Sequence, residues 1–242
     1  MARVQEHEER KIRGTDRAAG KGVDMKRSAK EWLIRVVILM IGLTIAHLGV
    51  TLFLLTELGS DPFNVLIQGL FRSLSSLTGW GFLTHGRVHI AVCLLIILIL
   101  LFVDRSYIKI GTVLCMIFGG PIIDMFTAVL SPLQIRMLPV PGRVLILAAG
   151  CVILAYGMTI VIKSDAGTGP NDLVAIVISD RLKKKFSIVR ILVDIGFVVF
   201  GWMMGGIFGI GTIVCALLVG PVAGIFLPVN ERMVSRIVQH FS

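Results

Sequence analysis

Charge is scarce in this chain. Asp, Glu, Lys and Arg make up 16% of its 242 residues, against 55% hydrophobic residues and a mean hydropathy of +0.89. An ordinary soluble domain carries about a quarter charged residues. The signatures of common catalytic sites are missing as well. There is no G-x-S-x-G, no H-E-x-x-H and no Walker loop, which points away from an enzyme. The glycine-rich GGIFGIGT at 205–212 lies between two apolar runs, so it does not read as a phosphate loop. No nucleic-acid-binding motif or isolated basic domain accompanies the net charge of +9, so nucleic acid is not an expected partner. Cys93, Cys115, Cys151 and Cys215 all fall in apolar runs, with no C-x-x-C spacing and no His cluster. That excludes the usual metal and redox patterns, and no cofactor is expected.

What the chain has is apolar length. Several runs approach or exceed 18 residues, enough to cross a hydrocarbon core of about 30 Å. The expected class is an all-α, polytopic membrane protein with the lipid bilayer as its main partner. Six spans are expected: Trp32–Thr56, Val88–Val103, Ile110–Leu130, Val144–Ile162, Ser187–Met204 and Ile210–Leu227. Two short amphipathic segments, Pro62–Leu74 and Pro170–Leu182, interrupt them. Residues 1–31 read as a basic cytosolic tail, mostly disordered, and 229–242 as a second tail.

A repeat organises these spans. IGTVLCMIFGGP at 110–121 matches IGTIVCALLVGP at 210–221 at six of twelve positions. Glycine and proline each make up about 5–7% of ordinary chains, so chance predicts roughly one match. Upstream the offset is 108: Gly42 meets Gly150, Gly49 meets Gly157, Gly59 meets Gly167 and Pro62 meets Pro170. The units are 32–130 and 144–228, joined by the proline-marked loop 131–143. Between Asp172 and Asp180 lie seven uncharged residues, and between Asp61 and Arg72 ten, too few to cross. Each unit then has three crossings, which makes the repeat inverted. Ten of the 24 Lys and Arg precede residue 36, placing the N-terminus in the cytoplasm. With six crossings the C-terminus joins it. An eight-span alternative fits the charge equally well.

The short segments are the candidate site. ELGSDPFNVLIQGL at 57–70 and DAGTGPNDLVAIVI at 165–178 each place glycine, proline and an acid after a span. Irregular backbone in a bilayer must be covered by protein or line a wet cavity. Proline at a first helical position restarts a helix. In an inverted repeat, the two helix N-termini would meet near the midplane, where their partial positive charge can line a path. The candidate pathway residues are Asp61, Pro62, Asn64, Gln68, Gly167, Gly169, Pro170, Asn171 and Asp172. Arg190, Asp194 and Asp124 join them because charges inside spans are costly. Arg190 and Asp194, at i and i+4, can equally form an ion pair. His47 reads as a packed histidine before a proton carrier. Thr51, Thr112, Thr159 and Thr212 suggest bonds across helices. Gly201, Gly205 and Gly209 suggest a helix contact, and a homo-oligomer is compatible with the pattern. Short amphipathic helices also serve as braces at an interface.

GTGPNDLV, FSIVRILVDIGFVVFGWMMGGIFGIGT and LLVGP, with LGSDPFNVLIQGL and IGTVLCMIFGGPIID in the first half, resemble the YczE-like branch of the YczE/YyaS/YitT group of bacterial membrane proteins. The resemblance covers roughly residues 36–228. That group favours G-x-G-P-R-D at the second break and Glu after the span-five Arg; here Asn171 and Asp194 stand in those places. The resemblance implies a bacterial membrane protein without a settled activity. Two functions remain open: a transporter or channel for a small solute or ion, and an accessory membrane protein acting through its helix faces.

Overall fold

The computed structural model describes residues 28–184 and 186–241; the expected N-terminal tail lies almost wholly outside them. Eight α-helices follow one another: α1 (Ala29–Thr56), α2 (Pro62–Thr78), α3 (His85–Val103), α4 (Ile110–Leu130), α5 (Val140–Ser164), α6 (Pro170–Leu182), α7 (Phe186–Met203) and α8 (Ile210–Phe241). Among the described residues, five helices are long and apolar enough to cross a membrane: α1, α3, α4 with its continuation to Leu133, α5 and α8. Their outer faces carry exposed leucine, isoleucine and phenylalanine, such as Leu98, Phe102, Leu145 and Ile225, as lipid contact requires.

The centre is the antiparallel pair α1 and α5, which share the most extensive helix–helix contact. Glycines allow it. A Cβ on Gly42 would sit 2.9 Å from the Gly157 carbonyl oxygen, and one on Gly49 would sit 2.7 Å from the Gly150 oxygen. Close backbone approach at small residues is what holds membrane helices together where lipid supplies no hydrophobic drive. Helix α4 packs on α1, α8 on α5, and α3 folds back on α4.

Helices α2 and α7 run parallel. Phe63 meets Phe197 at 5.4 Å between ring centroids, and Gly201 packs on Leu66. Further along, the Ser73 hydroxyl donates to the Met204 carbonyl at 2.7 Å and Arg72 to the Gly205 carbonyl at 3.2 Å. The expected contact face is therefore built by Gly201 within one chain. Gly205 and Gly209 lie beyond the end of α7, in the turn to α8.

Three boundaries differ from the sequence reading by four residues or more; one is the start of α5, which takes in 140–143 of the expected loop. Helix α2 runs to Thr78 and not Leu74, because Ser76 and Thr78 bond back to the Ser73 and Leu74 carbonyls at 2.9 and 2.7 Å. Gly79, at φ 64°, then caps the helix. Even so, its 17 residues reach only about 25 Å, and α6 about 20 Å. Helix α8 passes Pro228 and continues to Phe241, so 229–241 is helix and not a tail. Val234 and Val238 pack on Ile38 and Ile160. Lys163 pairs with Glu231 at 2.8 Å.

Asn230 fixes this last stretch. It is fully buried, and its amide donates to Thr159 Oγ1 at 2.6 Å and to the Tyr156 carbonyl at 3.3 Å. Asn230→Ala leaves the Tyr156 carbonyl without that donor and is expected to cost about 1–3 kcal/mol, read as a lower melting temperature in detergent.

Helix α6 is tied to the α3–α4 linker. The Tyr107 hydroxyl donates to Asp180 Oδ2 at 2.7 Å. That bond, with some burial, pushes the phenol up to about 12 from 10.0. A raised folded value means that the bond contributes below pH 10 and is lost as pH rises through about 12. With Tyr156→Phe only one of the two tyrosines remains, and its phenolate absorbance should appear near pH 12.

Candidate functional site at the two helix breaks

The two interruptions are built from the same bonds. α1 ends at Glu57 (φ 52°, ψ 24°) and α5 at Asp165 (φ 53°, ψ 22°), both left-handed. The last hydroxyl of each helix turns back on its own chain: Thr56 to the Phe53 carbonyl at 2.8 Å, Ser164 to the Val161 carbonyl at 2.6 Å. Each then accepts from the backbone two residues on, Leu58 N–H at 3.4 Å and Ala166 N–H at 3.3 Å. Gly59 and Gly167 follow at φ 115° and 152°, where a side chain would be strained.

Each loop is docked on the start of another helix. The Leu58 carbonyl accepts from Gly211 N–H at the start of α8 (2.8 Å), and the Ala166 carbonyl from Gly111 N–H at the start of α4 (3.0 Å). Thr212 packs its hydroxyl against Gly59, and the Thr112 backbone packs against Gly167. Neither threonine hydroxyl has a hydrogen-bond partner, unlike Thr159. The loops thus satisfy much of their backbone through protein contacts, as the bilayer interior demands.

Pro62 and Pro170 open the next helices, as the sequence pattern implies. Asp61 caps α2: its Oδ1 accepts from Asn64 N–H at 3.3 Å and its Oδ2 from the Asn64 amide at 2.8 Å. Asp61→Ala should cost about 0.5–2 kcal/mol through loss of the cap, measurable as an earlier unfolding midpoint. Gly169 caps α6 without a side chain. The Asn171 amide donates to Asp172 Oδ1 at 3.1 Å.

Arg190 of α7 joins the breaks. Its guanidinium contacts Asp172 Oδ1, and its Nε donates to Asp194 Oδ2 at 3.0 Å. The ion pair expected at i, i+4 is thus one arm of a three-member cluster. Arg190 thus ties α7 to the start of α6 through Asp172.

The position of this cluster on α7 matters. Ile188, Leu192, Ile195, Val199 and Trp202 form the exposed stripe of that helix. Arg190 and Asp194 lie on the opposite stripe, in line with Phe197 and Gly201, which face α2. Yet the side chains of Arg190, Asp172 and Asp194 are 28%, 21% and 26% exposed. On α7 that exposure lies off the apolar stripe formed by Ile188, Leu192 and Ile195. Asp194 Oδ1 is shielded there and has no hydrogen-bond partner.

Gln68 is used otherwise. It is buried, and its Oε1 accepts from Ile207 N–H at 2.8 Å, holding the α7–α8 turn. Asp124 anchors the start of α3, accepting from the Thr84 hydroxyl at 2.6 Å and Gly86 N–H at 2.9 Å. His47 donates from Nδ1 to the Leu43 carbonyl at 2.8 Å, which fits the packing reading.

Two residues escaped the sequence reading. His85 Nε2 lies 3.1 Å from Asn64 Oδ1, and since the Asn64 amide already donates to Asp61, the imidazole is the donor. His89 stacks edge-on to Phe63 and His47, at 5.5 and 5.8 Å. The i, i+4 spacing of His85 and His89 was the available signal. It was hidden because His85 precedes the span expected from Val88.

Comparisons place the chain among bacterial membrane proteins. It is 27% identical over 207 residues to the uncharacterized membrane protein YczE of Bacillus subtilis, covering 85% of this chain and 91% of that one. An uncharacterized protein of Haemophilus influenzae is 26% identical, over 81% of this chain and 84% of its own length. The uncharacterized protein YyaS of Bacillus subtilis is 28% identical, over 79% and 92%. No solved structure matches. The family model described as a family of unknown function, DUF6198, matches residues 33–228, most of the chain, and the protein belongs to that family as a multi-pass membrane protein.

Proposed function

We propose that this protein is a transporter or channel for a small solute or ion, with its binding site where α2 and α6 begin. The observation that carries the reading is the exposure of Arg190, Asp172 and Asp194 on the inward stripe of α7 and at the start of α6. Charges inside a membrane protein are costly and mark solute paths by default. Helix starts facing a midplane site are a recurring transporter device.

The arrangement proposed around this site is an inverted repeat. The matched loops support it: Leu58 is held by Gly211, and Ala166 by Gly111, with the two halves exchanging roles. The parallel course of α2 and α7 supports it too, because α2 then leaves the membrane on the side where α7 ends. Helix α7 is taken as the sixth crossing, and both termini as cytoplasmic, in line with the positive-inside bias. On this reading 79–84 and 183–185 lie on opposite sides.

The experiment is transport current on a solid-supported membrane. Purified protein in liposomes is given concentration jumps of sodium, potassium and ammonium chloride, sodium glutamate and lysine hydrochloride. A current present in the wild type and absent from Asp61→Asn/Asp172→Asn supports the reading. Currents indistinguishable from empty liposomes across the panel would count against it, and would favour an accessory role.

A further inference from the structure

The chain between α6 and α7 carries RLKKK at 181–185. Lys183 takes the left-handed cap of α6 at φ 51°. The Ser179 hydroxyl donates to the Lys184 carbonyl at 2.9 Å, and the Lys184 N–H donates to the Ser179 carbonyl at 3.1 Å. A buried serine thus holds the backbone of the turn, while Arg181, Lys183 and Lys184 stay exposed. Asp180 is the acid beside them. Against three cations it leaves a formal sum of two positive charges. The linker that Tyr107 ties to Asp180 brings Asp104 and Arg105, which cancel. α6 ends and α7 begins here, so their terminal partial charges offset. Among the described residues, neither Lys183 nor Lys184 forms an ion pair.

A groove of about 550 Å³ adjoins these cations, between the end of α6 and the first turns of α7. Pockets that hold small molecules span about 300–1,000 Å³, so the groove has room for more than a stray water. Ile178, Leu182, Ile188, Leu192 and Val193 line it, and Lys184 is its one charged lining residue. Ile188 and Leu192 belong to the exposed apolar stripe of α7, which faces lipid in a bilayer. The occupant must therefore be apolar along α7 and anionic at the turn. A second copy of the chain does not fit that description. Across a two-fold axis it would set the basic turn against its own kind. Basic pockets between membrane helices suit anionic lipid headgroups.

We propose that this groove binds one anionic phospholipid, with an acyl chain along Ile188 and Leu192 and the headgroup phosphate at Lys183 and Lys184. The lipid covers the apolar gap between α6 and α7 and neutralises part of the basic turn. The site is separate from the transport reading and stands if no solute is carried.

The test is native mass spectrometry of the full chain in detergent, titrated with dioleoylphosphatidylglycerol or dioleoylphosphatidylcholine. The acyl chains are identical, so only the headgroup differs. The expected result is a tightly retained phosphatidylglycerol and a weaker phosphatidylcholine. Lys183→Gln/Lys184→Gln should raise the dissociation constant for phosphatidylglycerol by about tenfold or more and leave that for phosphatidylcholine unchanged. Ile188→Trp, at an exposed position, obstructs the groove and should weaken both lipids. The N-terminal basic residues are the same in every variant, so they drop out of the comparison. Should the double variant fail to fold, Lys184→Gln alone and Ile188→Trp decide the matter. Undiminished phosphatidylglycerol binding in the lysine variant would overturn the inference. So would an equal loss on Arg232→Gln/Arg236→Gln, which changes basic residues of α8. A dimer abolished by the lysine substitutions would also overturn it, and would assign the groove to a second copy.

Discussion

Arg190→Ala is expected to be the most damaging single substitution in this ion cluster. It removes the guanidinium that pairs with both Asp172 and Asp194, and leaves those two carboxylates without it. Removing one member of a fully buried ion cluster costs about 3–5 kcal/mol, because the partners remain charged and unpaired; these side chains keep 21–28% exposure, so the loss here should fall below that range. Expression and melting temperature in detergent should both fall. The origin of the loss is checked by compensation. Arg190→Ala combined with Asp172→Asn and Asp194→Asn should recover much of the stability, since the unpaired charges go with their partner. Arg190→Lys should recover less, because an ammonium cannot reach both carboxylates with a fixed fork. If the triple variant melts no higher than Arg190→Ala, charge compensation is not what holds this region.

Gly59→Val and Gly167→Val should come next, and together. Both glycines have positive φ, where a β-branched residue is strained by about 1–3 kcal/mol. Both also lack room. A Cβ at 59 would lie 2.5 Å from Thr212 Oγ1 and 2.8 Å from Thr212 N, and one at 167 would lie 2.6 Å from Thr112 N. The Thr212 hydroxyl can turn, but Thr212 N and Thr112 N are backbone and cannot step aside, and overpacking adds about 1–3 kcal/mol. Each substitution should therefore cost about 2–6 kcal/mol and undock the break from α8 or α4. The similarity of the two losses is the informative part, because the two breaks use the same bonds. Unfolding midpoints of the two variants, measured side by side, give the comparison. A large loss at 59 with none at 167 would mean that the loops are not mechanically equivalent.

The breaks were legible in the sequence because glycine, proline and a capping acid act locally. Gly59, Pro62 and Asp61 each do in the structure what the residue type permits nearest its own backbone. Helix positions were legible for the same reason: an apolar run needs no partner to be recognised. What was not legible depends on contacts between distant elements. The chain does not show that Arg190 reaches across to Asp172, or that Asn64 links Asp61 to His85. It also does not show that Gln68 is spent on Ile207 N–H and not on a path. The ends of α2 and α8 were misplaced for physical reasons as well. Serine and threonine prolonged α2 by bonding back to its own carbonyls. Pro228 did not end α8, because packing of Val234 and Val238 on α1 and α5 outweighs one missing hydrogen bond.

Everything functional rests on water reaching the start of α2 and α6 inside the membrane. Thiol labelling tests this most directly. Cys93, Cys115, Cys151 and Cys215 are buried and would be replaced by alanine, and Asp61→Cys and Asp172→Cys introduced one at a time. Intact membranes are then treated with a charged, membrane-impermeant methanethiosulfonate. Reaction at both positions without denaturant is the predicted result. Thiols at these positions that react only after unfolding in SDS would contradict the account.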